Sequence, residues 1–126
     1  MKLDKKSYVK QAENVICGLS KDKNGNVRIT TSQIRNLLTM TNELYNAVQH
    51  DTAERLSDEI TGRTQYIKMR IAYNAGRDRN VKEFVENSEI MKYLDGVGDS
   101  RAELILVCHY MEALVAYHKY YRGEND

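Results

Sequence analysis

The 126-residue sequence has no proline and no tryptophan, a single phenylalanine, seven glycines and two cysteines. Without proline, no residue is barred from donating its backbone N–H, and with few glycines there are few places for a left-handed turn. A meander of many short strands needs far denser turn punctuation than this, so an all-β sandwich or barrel is excluded. The cysteines, Cys17 and Cys108, lie far apart in apolar surroundings with no CxxC spacing, which excludes a disulfide framework and predicts two buried, reduced thiols. No stretch approaches the roughly 18 continuous apolar residues of a membrane span, and the lysine-rich start, Met1 to Lys10, lacks the apolar run of a secretory signal. The expectation is a soluble, cytoplasmic protein with no membrane association. Excess charge of one sign is also missing, because 19 basic against 18 acidic side chains leave a net charge of +1. The chain as a whole therefore does not advertise a polyanionic partner, and any such signal must be local.

What the sequence has is apolar residues recurring every three or four positions over nearly its whole length, the pattern of amphipathic helices. With 41% hydrophobic residues, it predicts an all-α, single-domain bundle of about five helices spanning residues 1–126. A first helix runs from about Ser7 to Leu19 with Val9, Ala12, Val15, Ile16 and Leu19 on one side, ending at the polar turn Lys21 to Asn26. Thr30 with Gln33 forms a capping-box pair opening a second helix, whose inner stripe is Ile34, Leu37, Leu38, Thr41, Leu44, Tyr45 and Val48 and whose end falls near His50. Asp51 with Glu54 repeats the capping signature and opens a longer third helix through Leu56, Ile60, Ile67, Ile71 and Ala75, with Gly76 in the left-handed closing position. A fourth, from about Asn80 to Leu94, presents Val81, Phe84, Val85, Met91 and Leu94 before the glycine loop Asp95 to Asp99. Ser100 and Glu103 cap the fifth, "AELILVCHYMEALVAYHKYY", which is apolar around most of its circumference and so is expected at the centre of the bundle or against a partner. Val27 to Thr30 is the only strand candidate, short enough to be loop.

Charge is segregated along this scaffold. From Ile60 to Lys82, Arg63, Lys68, Arg70, Arg77, Arg79 and Lys82 face the single acid Asp78, a local charge of +5. Glu43 to Glu59 carries five acids against Arg55, and Glu83 to Asp99 five against Lys92, about −4 on each side. On a helix, residues seven apart fall within about 20° of each other, so Arg63, Arg70 and Arg77 form one row with Tyr66 and Tyr73 beside it. Only Arg63 has an acid one turn away, Glu59. A basic face suits phosphate, and adjoining tyrosines can stack on bases. The same pattern also suits a solvated face whose acidic flanks fold back and neutralise it.

Catalytic patterns are weaker. His109 and His118, nine residues apart, fall on opposite sides of the last helix, and Cys108 beside His109 has no third residue at metal-ligand spacing, so no metal site and no cofactor is expected. Small helical ribonucleases that pair an Arg with a His four to six residues later are not matched, the interval from Arg101 to His109 being too long. No glycine-rich phosphate loop, GxSxG or HExxH is present. The reading is a binding or scaffold protein, with a ribonuclease third.

Three stretches, "TTSQIRNLL" (30–38), "IAYNAGR" (71–77) and "YMEALVAYHKYYRG" (110–123), resemble in order and spacing the signatures of the small subunit of type III-A CRISPR effector (Csm) complexes. That resemblance implies an all-helical, non-catalytic subunit present in several copies, stacked head to tail beside the backbone subunits that hold the guide RNA. It implies contact with the guide and target RNA backbones without sequence readout, help in monitoring their pairing, and cleavage chemistry residing in the backbone and large subunits. The expected RNA-binding residues are Arg70, Arg77, Arg79 and Lys82, then Lys68 and Arg63, with Arg35 and Lys119 carried over from the "QIR" and "YHKYY" positions. The competing expectation is a structural module whose basic row pairs with an acidic flank of the next copy.

Overall fold

The computed structural model describes residues 3–50 and 52–122, which form six helices: α1 Tyr8–Cys17, α2 Thr31–Val48, α3 Asp58–Arg77, α4 Arg79–Ser88, α5 Ile90–Asp95 and α6 Arg101–Arg122. Among these residues there is no strand, only isolated bridges pairing Lys21 with Val27 and Arg55 with Ser100. The all-α expectation holds. α6 is the central helix, packed on α1, α2 and α5, and α3 completes the bundle against α2, α4 and α5. Most of the apolar circumference of α6 is consumed internally, Leu104, Leu106, Val107, Cys108, Tyr110, Met111, Ala113, Leu114 and His118 all being buried, while Tyr120 and Tyr121 near its end are exposed.

The second and last helices begin where their caps say they should. Thr30 Oγ1 accepts from the Gln33 N–H at 3.1 Å while Gln33 Oε1 accepts from the Thr30 N–H at 3.0 Å, a reciprocal box satisfying two donors that the helix itself leaves unpaired. Ser100 Oγ accepts from the Glu103 N–H at 3.2 Å at the start of α6.

Three boundaries differ from expectation. The third helix starts at Asp58, where Ser57 Oγ accepts from the Ile60 N–H, rather than at Asp51, which lies outside the described residues. Residues 52–57 are instead drawn out beside the loop before α6. The Leu56 N–H donates to the Asp99 carbonyl at 2.7 Å, the Arg101 N–H donates to the Glu54 carbonyl at 3.1 Å, and the Arg55 guanidinium binds the Asp99 carboxylate. Gly76 is not a left-handed cap either. The helix runs through it to Arg77, and Asp78 in an extended conformation (φ −143°) ends α3 while its Oδ1 accepts from the Asn80 and Val81 N–H groups to start α4. With the side chain of Asp78 serving as the cap, no left-handed residue is required there.

The predicted fourth helix is two. Glu89 adopts a left-handed conformation (φ 58°) between α4 and α5, which is why the count is six. Along one continuous helix Ile90 would project about 140° away from Val85, into solvent. The break lets Val81, Phe84 and Val85 on one side of it and Ile90, Tyr93 and Leu94 on the other enter the same core. Tyr110 of α6 seals this junction, its hydroxyl donating to the Ser88 carbonyl at 2.8 Å and its ring meeting Tyr93 edge-on at 5.5 Å.

The two thiols are not alike. Cys108 is buried, with its Sγ 3.5 Å from the Thr41 carbonyl, and burial pushes its pKa up to about 12. Cys17, expected inside, is exposed, because it follows the buried Ile16 by one residue and so stands about 100° off the inner stripe of α1. At pH 8 a thiol-reactive probe is expected to modify one cysteine of the folded protein and both in denaturant; rapid modification of two in the native state would contradict this placement.

Candidate nucleic-acid interface

α3 carries the arginine row as its spacing requires, and the tyrosines beside it are solvent-facing rather than half-buried: Tyr66 is 58% and Tyr73 65% exposed. Each sits under a guanidinium one turn on, with the Arg70 carbon 5.8 Å from the centre of the Tyr66 ring and that of Arg77 5.4 Å from Tyr73. Met69, also exposed, stands one turn from each tyrosine along the helix.

The acidic flanks do pair with this helix, but no further along it than Arg70. Glu59 reaches Arg63 at 3.4 Å, Asp95 reaches Lys68 at 2.5 Å, and Glu43 reaches Arg70 at 2.9 Å. These are surface pairs, weak and screened by salt, so they lower the local potential without locking the cations. Arg77, Arg79, Lys82 and Arg35 make no ion pair among the described residues.

Arg77 and Arg79 flank Asp78 at the α3–α4 junction, and Arg35 stands near the start of α2. Gln33 in the first turn of α2 donates to Asp78 Oδ2 at 3.0 Å, tying the start of α2 to the α3–α4 junction, and Asn36 contacts Asn74 at 3.5 Å one turn further along. The end of α6 joins the same place. His118 Nε2 bonds the Ile29 carbonyl at 2.8 Å, just before α2, and the Arg122 guanidinium donates to the Val27 and Ile29 carbonyls. In this setting Arg77 lines a polar groove of about 230 Å³ with Gln33, Asn36 and Asn74. Arg35 and Lys119 meet across a smaller pocket of about 170 Å³. Arg79 lines a polar cleft of about 540 Å³ with Ser20, Arg28, Asn80 and Glu83.

The structure thus sets Arg77 and Arg79 on either side of Asp78 in separate grooves, puts Arg35 with Lys119 at a third pocket, leaves Arg63, Lys68 and Arg70 paired along the shaft of α3, and sets Lys82 elsewhere. Lys82 stands at an apolar groove of about 550 Å³ between α3 and α4–α5, with Ala72, Val85, Glu86, Glu89 and Met91. Arg28 was not among the expected residues. It lies in the loop between α1 and α2, where helical spacing groups nothing, and its only sequence signal is a lone basic residue between two apolar ones that are both buried, Val27 and Ile29.

The histidines are far apart in environment. His109 is half-exposed with Nδ1 2.8 Å from Glu112, His50 is exposed beyond α2, and His118 is fully buried. Among the described residues, no three His, Cys, Asp or Glu side chains gather as a metal would need. Likewise, no helix among them is long and apolar enough to cross a membrane.

Comparison with known proteins places this all-helical chain among the subunits of CRISPR systems. A family model described as Csm2 Type III-A matches residues 2–124. The chain is 46% identical over 113 residues to the CRISPR system Cms protein Csm2 of Mycobacterium tuberculosis, covering 90% of each chain. It is 41% identical over 123 residues to the protein of the same name from Streptococcus thermophilus, covering 98% of each. The chain belongs to the Csm2 family, the small subunit of the type III-A CRISPR Csm complex.

Proposed function

We propose that this chain is a non-catalytic subunit that binds the phosphate backbones of guide and target RNA without reading their sequence, acts in several stacked copies beside the backbone and large subunits in the cytoplasm, and helps to monitor guide–target pairing. The observation that carries the reading is a contrast in pairing: the shaft cations Arg63, Lys68 and Arg70 are matched by acids, whereas Arg77 and Arg79, on either side of the α3–α4 junction, and Arg35, near the start of α2, make no ion pair among the described residues. Charge left open at a rigid junction of helix ends is positioned for a polyanion. Base pairing then supplies specificity and the arginines supply affinity.

The shaft supports the second half of the proposal, self-association. Tyr, Met and Arg are the residues enriched at protein interfaces, and Tyr66, Met69, Arg70 and Tyr73 form such a stripe on the exposed side of α3. In this division the end of the bundle faces RNA and the shaft faces protein.

A salt titration of RNA retention by the assembled complex tests the reading. Affinity is expected to fall linearly on a log–log plot, with a slope that becomes shallower when Arg35, Arg77 and Arg79 are replaced together by alanine. An unchanged slope and affinity in that triple variant, with the complex intact, would leave only the purely structural alternative.

A further inference from the structure

The cleft holding Arg79 has a second arginine that helix spacing cannot reveal, and the way its acids are engaged determines what it can bind. Arg28 arrives from the α1–α2 loop and Arg79 from the first turn of α4, and both line the same polar opening of about 540 Å³. The loop bearing Arg28 is held rigidly. The Arg28 N–H donates to the Ser20 carbonyl, Val27 and Ile29 on either side are buried, and Lys21 pairs with Val27 across the turn.

Two carboxylates lie near the guanidiniums, and each has one oxygen engaged by neutral donors of the α1–α2 loop. Glu83 Oε2 accepts from the Ser20 N–H at 3.1 Å and from the Ser20 hydroxyl at 2.5 Å, which pins the loop to α4. Asp22 Oδ1 accepts from the Asn24 and Asn26 N–H groups at 2.8 and 3.0 Å. The Asn26 bond, followed by that from Asn24 and by the nearby charges of Arg28 and Arg122, holds its carboxyl below the usual carboxylate range. Neither acid makes an ion pair with Arg28 or Arg79 among the described residues. At the start of α4 the Asn80 and Val81 N–H groups are taken by Asp78, so the positive charge of the cleft comes from the two arginine side chains.

We infer that Arg28 and Arg79 form a two-arginine clamp that grips a single phosphodiester of an RNA strand, with the Ser20–Glu83 contact as its positioning brace. The inference rests on the RNA-backbone reading and adds to it a residue, a location and a stoichiometry: two cations from different elements on one phosphate, apart from the Arg77 groove. Guanidiniums suit this because their forked donors engage two phosphate oxygens at once, and two forks from separate elements fix the strand's direction as a single cation cannot.

Counterion release distinguishes one shared phosphate from two. In the assembled complex, Arg28→Ala and Arg79→Ala are each expected to weaken retention of a non-cognate RNA strand about three- to tenfold while barely altering the salt slope, since the partner arginine still neutralises the phosphate. The double variant is expected to lower the slope by about one unit, the loss of one phosphate contact. A loss near two units in the double variant overturns the clamp in favour of two separate contacts. If both single variants match the parent while Arg77→Ala weakens retention, the clamp fails and the broader RNA reading stands. If the double variant releases the subunit from the complex in the absence of RNA, the occupant is an acidic segment of a neighbouring subunit and the inference is overturned. Far-UV circular dichroism of each variant, expected to match the parent because Arg28 and Arg79 are exposed, separates these outcomes from misfolding.

Discussion

Replacing Arg77 and Arg79 together by glutamate is expected to reduce RNA retention by the assembled complex about a hundredfold or more at moderate salt, with helicity unchanged. Each substitution removes a charge-assisted contact, an effect on the order of tenfold, and adds repulsion from the phosphate. Several copies in one complex multiply the loss, because each contributes the same deficit along the strand. Folding should be indifferent, since both side chains are exposed and the caps that join α3 to α4 come from Asp78, not from the arginines. The comparison that gives this result its meaning is Arg70→Glu. Arg70 already shares its charge with Glu43 at 2.9 Å, so reversing it is expected to cost RNA retention tenfold or less, and to disturb contacts along the shaft of α3 instead. Filter binding of labelled RNA to the purified complexes at two salt concentrations measures both. Equal losses in the two variants would return the site to the whole row of α3 and remove the special standing of the basic end.

That distinction shows where sequence reasoning reached and where it stopped. The Thr30–Gln33 box was legible because everything it needs lies within four residues, and the centrality of α6 was legible because apolar side chains on all faces leave a helix no other place. The Asp51–Glu54 signature is equally local, yet it did not decide the start of α3. Leu56 and Arg55 are engaged by Asp99, and a partner more than forty residues away is invisible to a capping rule. Glu89 is similar. Neither glycine nor proline marks the break between α4 and α5, and the gain that offsets a left-handed glutamate is the burial of Ile90 and Tyr93 beneath Tyr110. For the site, a period of seven placed Tyr66 and Tyr73 beside the arginine row, where the structure stacks them under Arg70 and Arg77. It could not say which cations stay open, because Glu43 and Asp95 each return from 27 residues away to pair with α3. Arg28 had no helical neighbours to be grouped with.

The second large effect concerns Phe84. It is the only phenylalanine in the chain, fully buried, and it stands on a ten-residue helix too short to persist by itself in water. α4 is held by packing on α3, with lesser contact to α1 and α5, so its stability is borrowed from the side chains of Val81, Phe84 and Val85. Phe84→Ala is expected to cost about 3–5 kcal/mol, which for a domain whose total stability is of the order of 5–15 kcal/mol lowers the melting temperature by roughly 10–20 °C. The functional consequence follows from what α4 carries. Arg79 is its first residue and Glu83 braces the α1–α2 loop, so loosening α4 releases both arginines of the cleft and the Gln33–Asp78 tie at the same time. RNA retention in this variant should therefore track helicity as temperature is raised, near normal in the cold and lost as the transition is crossed. In the Arg77→Glu, Arg79→Glu variant it should be low at every temperature while helicity persists. Parallel melts followed by circular dichroism and by RNA retention make the comparison. Loss of RNA in Phe84→Ala well below its melting transition would mean that α4 moves as a separate unit, and that the basic end is assembled only when α4 docks.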